Sequence, residues 1–167
     1  MQKKKLIVSL LLVTLILAAA LYSWPRSLES ALPGFSGEGD FTDCYAVVLS
    51  ADPEHEPSVQ PVSIALDCPA YTQLMELLGT ASYVRSPSDL FRLGRASDTQ
   101  AITLSPYYAT IYLRQGDALY SISLYGPHVV TTVNSPQAYA SETYLMQGGK
   151  GAQTAVIEFL LTEAQSD

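Results

Sequence analysis

Residues 6–21 carry no charge and only two hydroxyls, Ser9 and Thr14. An apolar run of this length constrains the chain more than any other feature, because water cannot surround it cheaply. Extended through Trp24 it has 19 residues. As a helix it is about 28 Å long, close to a bilayer core of roughly 30 Å. Lys3, Lys4 and Lys5 precede it. Tyr22 and Trp24 close it, where amphipathic rings favour the membrane interface, and Pro25 ends the helix. The positive start holds the N-terminus in the cytoplasm. The expected layout is a cytoplasmic n-region at 1–5 and a single-pass signal-anchor at 6–24, with the lipid bilayer as its partner and an extracytoplasmic remainder. The alternative is a cleaved signal peptide. Ala18-Ala19-Ala20 offers the small residues that cleavage needs, and the product would be secreted from near Ala20. No cysteine stands directly after the run, which excludes a lipoprotein anchor there.

Fourteen of the chain's apolar residues, which make up 48% of it, lie in that run. The remainder is polar and rich in tyrosine. Past residue 24, six basic residues face sixteen acidic ones, a net charge of −10. Such a domain repels phosphate backbones, so nucleic acid is excluded as a partner. Collagen, coiled coil and multi-span membrane architectures are excluded by composition. The exported part is long enough to bury roughly two thirds of its unfolded surface and so to build its own core.

Residues 25–43 contain Pro33, Gly34, Gly37 and Gly39 among Ser, Glu and Asp. They lack a period and read as a linker, with the α+β domain at 44–167. Cys44 to Ser50 reads as a strand and Val62 to Cys68 as its partner, joined by a proline-rich loop. Pairing Ser50 with Val62 sets Val48 against Ile64, Ala46 against Leu66 and Cys44 against Cys68. Opposed residues are within disulfide reach. The expected Cys44–Cys68 bond would contribute about 3.5 kcal/mol in the chain-entropy model. Two buried free thiols are the alternative.

Pro69 opens a helix whose stripe is Tyr71, Leu74, Met75 and Leu78, with Gly79 as the stop. Ser86 to Leu93 reads as a second short helical turn. Tyr107 to Arg114 and Leu119 to Tyr125 flank Gly116-Asp117 and read as a hairpin. In it Leu113 faces Tyr120, Ile111 faces Ile122 and Ala109 faces Leu124. His128 to Val133 continues an antiparallel meander, with Ile102 to Leu104 and Thr143 to Met146 as additional strands. A last helix buries Ala152, Ala155, Val156, Phe159 and Leu160. The expected fold is α+β: an N-terminal transmembrane helix, then a meander packed by two or three helices, including a C-terminal one.

No set of residues specifies catalysis. Gly148-Gly149-Lys150-Gly151 lacks the Ser or Thr and the first glycine of a phosphate loop. Asp52, Glu54, His55 and Glu56 lack cation-loop spacing. The 44, 55, 68 and 128 positions of the Cys and His residues match no compact zinc module. Lys150 has no Ser-x-x-Lys partner. No catalytic, cofactor or metal residue is assigned, and no motif matches a recognisable family. The candidate partner surface is Tyr108, Tyr112 and Tyr125 on the meander's second face, suited to a protein or glycan partner. The expected function is a non-catalytic binding or interaction module of a bacterial cell envelope. The alternative is an envelope hydrolase with an unrecognised active site.

Overall fold

A computed structural model describes residues 2–37, 39–50, 56–85, 107–126, 128–148 and 151–165, without the side chains of 2–6 and 8. Its elements are α1 (Gln2–Tyr22), α2 (Leu28–Ala31), β1 (Asp43–Ser50), β2 (Ser58–Ser63), α3 (Pro69–Thr80), β3 (Ser82–Val84), β4 (Tyr107–Gln115), β5 (Ala118–Tyr125), β6 (His128–Asn134), β7 (Tyr139–Gln147) and α4 (Ala152–Glu163). The strands form one antiparallel seven-stranded sheet in the order β2-β1-β4-β5-β6-β7-β3. The fold is therefore α+β with a C-terminal helix, as expected. The acidic loop from Asp52 to His55, the turn at 86–93, the strand at 102–104 and Lys150 lie outside the described residues.

The β4–β5 hairpin follows from local chemistry. Gly116 has φ 56 and sits first in a two-residue turn between Gln115 and Ala118, where a type II′ turn needs positive φ. Tyr108 then faces Tyr125, Ile111 faces Ile122 and Leu113 faces Tyr120. That is the register expected from the sequence.

One face of the sheet carries the core. Ala46 and Val48 of β1, Ile111 and Leu113 of β4, Ile122 and Leu124 of β5 and Val129 of β6 all join one buried cluster. Leu74 and Leu78 of α3 and Val156, Phe159 and Leu160 of α4 close over them. These are the alternate residues of each strand and single stripes of each helix, as half-buried elements require. Cys68 takes the N-cap of α3 with Pro69 at the first helical position. The helix runs one residue past Gly79, which therefore does not stop it.

Residues 26–35 depart from the expected linker. Ser27 caps α2 by accepting a hydrogen bond from the Ser30 amide. Leu28, Ala31, Leu32 and Phe35 are buried in the main cluster. Thr131 Oγ1 donates to the Ala31 carbonyl at 2.9 Å, and Tyr120 donates its hydroxyl to the Gly34 carbonyl at 2.8 Å. Phe35 also meets the Tyr120 ring edge-on, with centroids 5.4 Å apart. Domain packing thus begins near residue 26 rather than at 44. Proline, glycine and serine shape short turns here instead of a free tether.

The β1–β2 register is also corrected. Ala46 faces Val62 and Ser50 faces Ser58, and the Ile64 amide donates to the Cys44 carbonyl at 3.0 Å. The strand begins earlier than expected, at Ser58, and takes in Pro61. A proline is tolerated there because β2 is an edge strand. The shift of four residues keeps the same side chains facing the core, since the alternation has period two. It removes Cys68 from the position opposite Cys44.

Candidate functional site

The second face of the sheet collects the other set of alternating residues. In β4 these are Tyr108, Thr110, Tyr112 and Arg114, flanked by Tyr45, Val47 and Leu49 of β1. On the other side β5 offers Ser121, Ser123 and Tyr125. Two aromatic pairs organise the face. Tyr45 stacks on Tyr112 with centroids 4.7 Å apart and planes 17° from parallel. Tyr108 and Tyr125 meet at 5.9 Å. Between the pairs, Thr110 Oγ1 donates to Ser123 Oγ at 3.1 Å. The result is a strip of rings and hydroxyls with little charge.

The three candidate tyrosines are not equally open. Tyr125 is 39% exposed, but Tyr108 is only 8% exposed, which corrects its expected place in an open patch. Its cross-strand neighbours are both large, Leu49 on β1 and Tyr125 on β5. Tyr112 is half-buried because Tyr45 covers one ring face. Tyr45 was not in the expected set. Its only signal in the sequence is an outward position on β1, and the β1–β4 pairing joins segments more than fifty residues apart.

The two cysteines are free thiols, and the expected bond between them is not formed. Cys44 is 1% exposed on the core face of β1. Cys68 is half-buried and packs against the same cluster. Burial pushes the Cys44 thiol up to about 12, with Asp43 and then Cys68 adding to the rise. Cys68 is therefore near enough to act on Cys44 electrostatically. Burial and the Cys44 charge also raise the Tyr71 hydroxyl.

A third cluster lies beside the β3 edge. Arg85 forms an ion pair with Glu142, which also accepts a hydrogen bond from the Tyr144 hydroxyl. Burial would raise the Glu142 carboxyl, but hydrogen bonds from Arg85 and Tyr144 and the charges of Arg85 and Arg26 together hold it below its ordinary value. Burial and the bond to Glu142 push the Tyr144 hydroxyl up. The Arg85 guanidinium also sits 5.5 Å from the Tyr22 ring centroid and 5.6 Å from that of Tyr144. This arrangement holds chain segments together. The Tyr144 hydroxyl does have a carboxylate beside it, but Tyr144 is buried.

A groove of about 790 Å³ runs along α3, lined by Asp67, Cys68, Thr72, Gln73, Glu76 and Thr80. It lies on the helical side, away from the tyrosine face. Among the described residues, no group of three or more metal-ligating side chains converges. His128 begins β6 opposite Tyr125.

Among the described residues no helix is long and apolar enough to cross a membrane. No family model, no curated protein and no solved structure matches this chain.

Proposed function

We propose that the protein is a membrane-anchored, extracytoplasmic binding module of a cell envelope that takes its partner on the tyrosine face. The observation that carries the reading is the stacking of Tyr45 on Tyr112 with the exposed Tyr125 nearby, across three adjacent strands. Rigid rings with polar tips offer large contact area at small entropic cost. The hydroxyls of Thr110 and Ser123 lie between them, Ser121 lies opposite Tyr112, and Arg114 is the one charged residue among the β4 and β5 positions of this face. Rings flanked by neutral hydroxyls suit an uncharged polymer, so a glycan strand is the favoured partner. The anchor reading rests on the apolar run from Leu6 to Trp24 and on Leu10, Leu11, Leu15 and Leu17, all more than half exposed. A helix apolar all round needs a hydrophobic surrounding.

Co-sedimentation with an insoluble envelope glycan tests the binding reading. Wild-type protein is expected in the pellet. Tyr112→Ala is expected to weaken binding by more than about 1 kcal/mol, as truncations at binding hot spots do. Equal retention of both proteins would refute it.

A further inference from the structure

We propose that the β3 edge of the sheet faces the lipid headgroups, so that the domain stands on that edge with its tyrosine face looking along the membrane plane. The inference rests on the anchor reading and adds an orientation to it. The first observation is the shortness of the connection. Helix α1 ends at Tyr22, and Arg26 already pairs with Tyr83 of β3 as an antiparallel bridge. The Arg26 amide donates to the Tyr83 carbonyl at 3.0 Å, and the Tyr83 amide donates back at 2.9 Å. The four Cα steps from Tyr22 to Arg26 reach at most about 14 Å. Ser23, within the connection, has a buried hydroxyl oxygen.

A second observation is independent of the backbone. The Arg85 guanidinium, one residue past β3, lies against the Tyr22 ring of α1 while paired with Glu142 of β7. The end of the anchor is thus held to the sheet by both main chain and side chain. The third is the packing that follows: Leu28, Ala31 and Leu32 enter the core immediately afterwards, leaving no free tether in which the domain could swivel.

Tyr22 and Trp24 mark the headgroup level, and Trp24 is 67% exposed beside the domain. β3 must therefore lie close to that level. β2 is at the opposite edge of the seven-stranded sheet. Six strand spacings of about 4.8 Å put it roughly 29 Å across the sheet from β3.

The test uses the full-length chain in phosphatidylcholine vesicles carrying a fraction of headgroup-nitroxide lipid. Trp24 is the sole tryptophan, and its fluorescence is expected to be strongly quenched. An unquenched Trp24 would overturn the anchor reading itself. In a Trp24→Phe background, a tryptophan is then placed at Gln147, which is exposed opposite Ser82 of β3, or at Val59, which is exposed on β2. Gln147→Trp is expected to be quenched severalfold more than Val59→Trp. Equal quenching, or more at Val59, with native Trp24 still quenched, would overturn the orientation and leave the anchor standing. Thr143→Trp, exposed on β7, provides the same comparison should Gln147→Trp fail to fold.

Discussion

Leu32→Ala separates two accounts of the segment that follows the apolar helix. In a free tether the substitution touches nothing, and the change in stability stays within about 0.5 kcal/mol. In the structure Leu32 is 0% exposed and belongs to the main core cluster. Truncation removes three buried carbons, worth roughly 2.4 kcal/mol at about 0.8 kcal/mol each. Incomplete collapse of the cavity adds to this, giving about 3–4 kcal/mol within the range of buried Leu→Ala changes. For a domain of this size that lowers Tm by roughly 9–12 °C at about 3 °C per kcal/mol. Near-ultraviolet circular dichroism is a suitable probe, since the tyrosines report tertiary packing while α1 contributes little. Ser36→Ala, exposed a few residues on, serves as the near-neutral control. A Leu32→Ala melting curve superimposed on that of Ser36→Ala would refute the inclusion of this segment in the domain.

Three further outcomes follow from the same geometry. Thr131→Val leaves the buried Ala31 carbonyl without its donor and should cost about 1–3 kcal/mol in denaturant unfolding; Thr131→Ser should recover most of it. Glu142 is held below its ordinary value of 4.5 in the folded state. Its stabilising contribution is therefore full above that value and is lost as pH falls through the folded pKa, a component that an acid titration of Glu142→Gln should lack. The Cys44 thiol rises from 9.0 to about 12 on folding. In reducing buffer its contribution is complete below pH 9.0 and is lost as pH rises towards 12, so the alkaline limb of the stability profile should flatten in Cys44→Ala.

The parts of the fold that were legible in the sequence are those fixed by neighbours along the chain. The β4–β5 register followed from a glycine turn flanked by alternating apolar residues, and with it the opposition of Tyr108 and Tyr125. The stripes of α3 and α4 were equally local. What failed depended on distant partners. β1 and β2 flank a proline-rich loop that sets no register, and the structure settles the pairing by burying Val62 opposite Ala46. α2 has only four residues and shows no period. It is held by Thr131 and Tyr120, about a hundred residues away in the chain. The tyrosine face was visible in outline from β4 and β5. Its geometry was not, because the ring that covers Tyr112 and the side chain that flanks Tyr108 both come from β1.

The binding claim is tested most directly by hydroxyl-radical footprinting of the tyrosines with and without a soluble glycan fragment. Tyr45, Tyr112 and Tyr125 share the proposed face, whereas Tyr71, half-buried on α3, lies on the helical side. The account predicts that saturating glycan slows modification of Tyr112 and Tyr125 and leaves Tyr71 unchanged. Glycan binding with unaltered rates at Tyr112 and Tyr125, or with protection at Tyr71 alone, would contradict it.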